Sequence, residues 1–306
     1  MLPSLRRWAA GIVQRTRALD PTLQGLLWAT AAGFVFTLLN GTMRALSLQL
    51  DPFQTQFLRY VFGLAVLLPL VWRHGVAAYR PKAIGGQFVR GFVHAVGMGL
   101  MFTALPRIPL AEMTAIGFTM PIFIMLGAWI FFREAMRWER WLAAVAGFAG
   151  VLIVVGPGLS GAGGVYSLVM LASAAVFAGS FLLNKALTRY ETTGTILLWQ
   201  SLTVTLFSMP LALTHWAPPT ALQWAGFVLC GFLGSLSHYC LTRSFRVADI
   251  SATQSTKFLE LLWAALFGWS VFGDVPARST LVGGVVICAA TLWIARRESR
   301  GAAPVG

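Results

Sequence analysis

Lys257 and Glu260 stand three residues apart in a stretch that is otherwise largely apolar, a spacing that puts opposite charges on one face of a helix within reach of an ion pair. Trp263 follows on the same face. Such a pair can neutralise itself and fasten its helix to a neighbour, or it can hold the two ends of a zwitterion or serve as a gate. The spacing leaves both roles open. His238 follows Gly231, Gly234, Ser235 and Ser237 and precedes Tyr239, so it can hydrogen-bond a neighbouring helix or line a cavity that receives substrate. His94 poses the same choice. Phe181 and Asn184 add an aromatic ring and an amide to the candidate substrate-binding set of His238, Lys257, Glu260, Trp263, Tyr239, His94, Phe181 and Asn184.

The elements that must position these groups are membrane helices. The chain is 57% hydrophobic and 11% charged, and apolar runs of about twenty residues recur along its whole length. Ten spans are expected, at 23–46, 53–72, 87–105, 109–132, 139–156, 164–188, 193–214, 221–246, 249–272 and 278–296. Short loops between them leave no room for a soluble domain. A charge at mid-membrane costs about 2.5–3.5 kcal/mol on insertion scales, which makes every polar side chain inside a span a candidate for a cavity or a partner. The first half offers Asn40, Arg44, Gln56, Arg59, His94 and Glu112, and the second Asn184, Lys185, Gln200, His238, Lys257 and Glu260. Arg44 and Lys185, near the ends of helices, are expected to snorkel to the interface. Pro121, deep in the fourth span, removes a backbone hydrogen bond and predicts a helix break or gating point.

The net charge of +13 points to nucleic acid only if the chain is soluble; here its distribution matters more. With a cytoplasmic N-terminus, 17 of the 23 Lys and Arg residues, Arg90 and Arg140 among them, fall on the cytoplasmic side, and only Arg107 and Arg278 face outward. Both termini are therefore expected in the cytoplasm. The first 20 residues carry four Arg, and the apolar run after them is too long for a signal-peptide core, so it is expected to remain as the first span.

Several chemistries are not supported. Gly156 to Gly161 fits G-x-G-x-x-G but joins two membrane helices with no strand before it. No lysine is followed by Ser or Thr, so there is no Walker A loop, and the four histidines lack H-E-x-x-H spacing. Cys230, Cys240 and Cys288 sit inside spans without paired spacing, so no disulfide framework and no zinc site are indicated. No metal or cofactor is expected. The expected partners are a small-molecule substrate and membrane lipid, with no nucleic acid, and a monomer suffices.

The chain also repeats itself. Residues 121–134 align at an offset of 140 with 261–274, matching Trp129 to Trp269, Phe132 to Phe272 and Glu134 to Asp274. At an offset of 141, Arg44-Ala45-Leu46 lies over Lys185-Ala186-Leu187 and Pro69 over Pro210. Long internal repeats in an apolar chain mark secondary transporters, whose site lies at the repeat interface. An odd number of spans per half inverts the second half. The fold expected is all-α, a polytopic membrane protein of ten transmembrane helices in two inverted five-helix repeats. Its parts are a basic cytoplasmic segment at 1–22, repeats at 23–156 and 164–296, and a cytoplasmic tail at 297–306.

On these residues the chain resembles the drug/metabolite transporter superfamily and, within it, the EamA family. The motifs are Pro121 to Glu134, ending Phe131-Phe132-Arg133-Glu134; its second copy, opening Phe258-Leu259-Glu260 and closing Phe272-Gly273-Asp274; and Phe57-Leu58-Arg59 in the second span. The family often has Glu-Pro where Glu260-Leu261 stands here. The first span lacks the acid through which related four-helix multidrug proteins couple to protons. The resemblance implies a bacterial inner-membrane exporter of small metabolites, amino acids including aromatic ones being the expected cargo, in which helices 1–4 and 6–9 enclose a central cavity. The alternative is a multidrug or nucleotide-sugar-type carrier of the same fold. An intramembrane lipid-modifying enzyme is more distant, because Glu260 is the one acid at mid-span. A transporter, not an enzyme, is expected.

Overall fold

The computed structural model describes residues 20–108, 110–135, 137–156, 164–272 and 278–301, and every regular element among them is helical. The basic segment before Asp20, the 157–163 turn, Asp274 and residues 302–306 lie outside the described residues, as do the side chains of Arg44 and Glu112. The elements are α1 (Pro21–Ser47), α2 (Pro52–His74), α3 (Ile84–Ala104), α4 (Leu110–Gly117), α5 (Met120–Phe132), α6 (Trp138–Val155), α7 (Val165–Leu187), α8 (Thr193–Ala212), α9 (Ala221–Val247), α10 (Ile250–Thr253), α11 (Leu259–Phe272) and α12 (Arg278–Gly301). Among the described residues, six stretches are long and apolar enough to cross a membrane: α1, α2, Ala115–Phe132, α7, α8 and α9. This is a multi-pass helical membrane protein.

Local chemistry sets the helix ends. The Asp51 carboxylate accepts the N–H groups of Phe53 and Gln54 at 2.9 and 3.1 Å, with Pro52 at the first helical position. Thr220 and Gln223 form a reciprocal capping box at the start of α9. Between α4 and α5 the helix is interrupted at Phe118 and Thr119, and Pro121 falls in the first turn of the new helix, where N–H groups have no intrahelical partner in any case. The second half breaks without a proline. There Thr253 Oγ1 and Gln254 Nε2 both donate to the Ile250 carbonyl, at 2.8 and 2.7 Å, and residues Gln254–Phe258 tighten into a 3₁₀ turn between α10 and α11.

Helix α3 shows which solvent surrounds the bundle. Its buried face carries Gln87, Arg90 and His94, while Phe88, Phe92 and Val96 are exposed at i, i+4 and i+8. Polar inside and apolar outside is the reverse of a water-soluble helix, and it is stable only against lipid.

The packing crosses between the halves. Helix α1 packs against α9 and α3 against α7; α2 meets α9 and α3 meets α8; α5 meets α7 and α11 meets α1; α2 pairs with α8, and α6 with α12. Exchanging the two halves turns this set of pairs into itself. Close approach is made by small residues: a Cβ on Gly231 of α9 would lie 2.5 Å from the Phe62 carbonyl carbon of α2, and one on Gly150 of α6 would lie 2.9 Å from the Gly283 carbonyl oxygen of α12.

At one end of the bundle the chain leaves α5 through Arg133, which adopts a left-handed conformation (φ 53°). That turn aims Glu134 at the start of α10, where its carboxylate accepts the N–H groups of Ile250 and Ser251, each at 3.1 Å, and the Ser251 hydroxyl at 2.5 Å. Arg140 closes the same corner on Asp249 at 3.2 Å. Lys185, expected to snorkel, instead caps α9: its Nζ donates to the carbonyls of Phe245 and Ala248, at 2.7 and 2.5 Å, satisfying groups that a helix end leaves unpaired.

Candidate functional site

Four helices, two from each half, bring polar side chains together in the middle of the bundle. Helix α2 contributes Gln56, Arg59 and Tyr60, α3 contributes Arg90 and His94, α8 contributes Gln200, and α9 contributes His238. Each rises on its helix at a spacing of three or four residues from another buried polar group, which keeps one polar stripe per helix turned inward. The cavity between them is bounded by Arg59, Tyr60, Gln200, Ser201, Ser235 and His238, with Gly63, Gly231 and Gly234 where α2 and α9 cross. Only about 10 Å³ of it is open to the centre of a water-sized sphere, so this conformation has room for a single water. A metabolite can enter only if the helices part.

The hydrogen bonds are uneven. Arg90 Nη2 donates to Gln200 Oε1 at 2.6 Å, with a longer 3.4 Å bond from Nη1 to the Ile196 carbonyl. Arg59 Nη1 reaches Gln56 Oε1 at 3.4 Å, and its guanidinium lies 4.7 Å from the centre of the Tyr60 ring. His238 Nε2 faces two groups that can only donate, Arg59 Nη2 at 3.4 Å and Gln200 Nε2 at 3.5 Å, so Nε2 accepts and the proton rests on Nδ1. His94 is bound by Tyr60 Oη at 2.8 Å and Ser180 Oγ at 3.3 Å, and its ring centre lies 6.0 Å from that of His238. Arg59 is 9% exposed and Arg90 1%, and among the described residues neither has a carboxylate partner.

Lys257 and Glu260 form a tight pair beside this cluster. Lys257 Nζ donates to both carboxylate oxygens, at 2.6 and 2.7 Å. Phe36 of α1 stands between the two groups, with its ring 5.1 Å from His238 and 5.7 Å from Lys257 Nζ. Trp263 packs edge-on to Phe34 at 5.6 Å, and its indole N–H is buried without a partner.

The other candidates lie elsewhere. Phe181 packs with Phe245, Ile250 and Leu182 at the junction of α5, α7 and α9. Asn184, fully buried, donates to Thr242 Oγ1 at 3.2 Å across the α7–α9 contact. Tyr239 is placed outside the cavity, edge-on to Trp28 and 39% exposed, because adjacent helical residues point about 100° apart and His238 takes the inward direction. Arg90 requires a correction: counted with the charges at the cytoplasmic surface, it is turned into the bundle. Tyr60 was not singled out in the sequence, and Gln56, Arg59 and Gln200, named there as polar residues within spans, were not placed in the substrate-binding set. One signal in the sequence pointed to Gln200, since at the 141-residue offset it is the counterpart of Arg59.

A lipid-embedded helical bundle with a polar cavity shared by two repeated halves defines a membrane transporter. The sequence profile of the EamA-like transporter family matches twice, over residues 23–156 and 165–296, and the chain belongs to that family. It is 34% identical over 292 residues to a riboflavin transporter of Rhizobium johnstonii, an alignment covering 94% of this chain and 96% of that one. It is 29% identical over 284 residues to an S-adenosylmethionine uptake transporter of Rickettsia felis (92% and 96% covered). A pseudopaline exporter of Pseudomonas aeruginosa is 28% identical over 282 residues (92% and 99%). A solved crystal structure superposes with a TM-score of 0.76 over 92% of this chain and 99% of its own, at 17% identity, which establishes the likeness of fold.

Proposed function

We propose that this chain is an alternating-access carrier of a small polar metabolite, built as ten helices in two inverted repeats, resident in a bacterial inner membrane with both termini in the cytoplasm. The observation that carries the reading is the convergence of Arg59, Gln200 and His238, from both halves, on one small cavity in an apolar bundle. The exchange symmetry of the helix pairs supports two equivalent halves that rock about that point. Amino-acid export is the specific activity proposed. A guanidinium, two imidazoles and amides flanked by Phe36 and Tyr60 suit an amphipathic cargo with one polar head. Movement is down the cargo's own gradient, since Glu260 is tied to Lys257.

A second reading, transport of a flavin, is favoured by the similarity to the riboflavin transporter. Counterflow into liposomes loaded with amino acids, riboflavin, S-adenosylmethionine, nucleosides or cationic dyes separates them. Exchange of amino acids is expected. Exchange of riboflavin alone selects the second reading, and no exchange of any compound in the panel refutes the carrier reading itself.

A further inference from the structure

We propose that Arg59 is the anchor for a carboxylate on the cargo, with Arg90 as a positioning residue acting through Gln200. The inference rests on the carrier reading and deepens it by naming the chemical class of the cargo.

On the residues that line the cavity and those hydrogen-bonded to them, the unmet hydrogen-bonding capacity among the described residues is all of one kind; the unpaired amide of Gln87, with an acceptor and a donor both free, lies a turn further along α3. Arg59 Nε, Gln56 Nε2, Arg90 Nε and His238 Nδ1 are buried without partners. Gln56 presents its amide nitrogen because its oxygen already accepts from Arg59, and His238 Nδ1 carries the proton for the reason given above. All four are donors. Buried polar groups are normally satisfied, so four idle donors beside a guanidinium define a site short of acceptors and of negative charge. A ligand that supplies both completes it.

The form of the charge can also be read. Arg90 spends its guanidinium on Gln200 Oε1 and the Ile196 carbonyl, which turns the Gln200 amide nitrogen toward the cavity. One guanidinium then remains to face the cargo. Arg90 keeps its charge, since Gln200 and the Ile196 carbonyl are neutral, but it does not line the cavity, so direct contact falls to the Arg59 fork, whose parallel N–H donors match a carboxylate. Arg59 holds only 3.4 Å hydrogen bonds, so its side chain is free to exchange them for shorter, charge-assisted ones.

The test uses the full chain in liposomes, with counterflow of radiolabelled L-phenylalanine competed by other carboxylates, by the amide and amine analogues of phenylalanine, by phosphate esters and by riboflavin. Expected is competition by carboxylates at least tenfold stronger than by the matching amide or amine. Arg59→Gln cuts carboxylate exchange by about a hundredfold and Arg59→Lys restores part of it, while Arg90→Gln raises the KM and leaves the maximal rate within a few-fold. Because Arg59 is buried with no carboxylate partner among the described residues, Arg59→Gln in detergent unfolds several degrees above the parent. A purely structural arginine gives the opposite, a lower unfolding temperature with equal loss for every cargo. The proposal is overturned, with the carrier reading intact, by exchange of riboflavin or phosphate esters but not carboxylates, by equal competition from acid and amide, or by full carboxylate exchange in Arg59→Gln. If that variant does not fold, the competition series on the parent chain decides.

Discussion

Removing the charges at Lys257 and Glu260 one at a time and then together measures what the pair does. The Glu260 carboxylate has both oxygens on Lys257 Nζ and, among the described residues, takes no other hydrogen bond; it is backed by Gly33 of α1, while the Phe36 ring faces Lys257 Nζ. Lys257→Met therefore strands a carboxylate that is 14% exposed. That costs about 3 kcal/mol, the low end of the range for breaking a buried pair, because water still reaches part of the site. Glu260→Gln costs less, about 1.5 kcal/mol, since Lys257 keeps 28% of its side chain exposed and its long stem can carry the ammonium toward the interface. The double substitution leaves no charge behind and is expected near 1.5 kcal/mol, a coupling energy of about 3 kcal/mol. The assay is unfolding in mixed SDS micelles, followed by tryptophan fluorescence, with counterflow measured on the same preparations. A pair that only fastens α11 gives a double variant that folds and transports better than Lys257→Met. A pair that holds cargo gives a double variant that folds and does not transport. A strictly additive cycle refutes the electrostatic reasoning.

Reporter fusions at Gly306 and within 157–163 are expected on opposite sides of the membrane, and signal from the same side refutes the ten-span topology. Loaded liposomes are expected to release cargo with no imposed pH difference; an absolute need for a proton gradient, lost in folded His238→Gln or Glu260→Gln, shows that one of these residues couples transport. Gly231→Val places a branched side chain where a Cβ alone would lie 2.5 Å from the Phe62 backbone, and is expected to destabilise the α2–α9 crossing by about 1–3 kcal/mol, read as a lower unfolding temperature in detergent. Glu134→Gln can keep an oxygen on Ser251 only by setting its amide NH2 against the Ile250 N–H, and it loses the charge at the start of α10, so a loss of about 1–3 kcal/mol is expected in the same assay.

The long apolar runs made the helices legible, and the 140-residue offset made the two halves legible. Helix ends such as Pro52 and Val165 fall within a residue or so of the expected spans. His94 and His238 stood out because a histidine in an apolar run has few neighbours that can satisfy it, and the structure brings the two rings together. Arg90 was misread because charge near a loop looks cytoplasmic when only its position along the membrane normal is considered. The rotational phase held the information: Gln87, Arg90 and His94 share one face of α3, opposite Phe88, Phe92 and Val96. Tyr239 was misplaced by the converse error, adjacency in sequence being taken for adjacency in space. The break at Gln254–Phe258 had no proline to announce it, since it arises from Thr253 and Gln254 competing for one carbonyl.

The helix pairs that cross between the halves impose an order on biosynthesis. Arg90 is made 110 residues before Gln200, the side chain that accepts its shortest hydrogen bond. At 5–20 residues per second the ribosome takes roughly 5–20 s to supply that partner. Over the same interval α1 lacks α9, and Arg59 lacks His238. The nascent first half thus sits in the membrane, or beside the insertion machinery, with Arg90 lacking both of its acceptors and Arg59 left to Gln56 and the Tyr60 ring. Truncation products that stop in the middle of the chain share that defect. They are natural substrates for membrane quality control, which needs only to recognise a helix whose charges have found no companion.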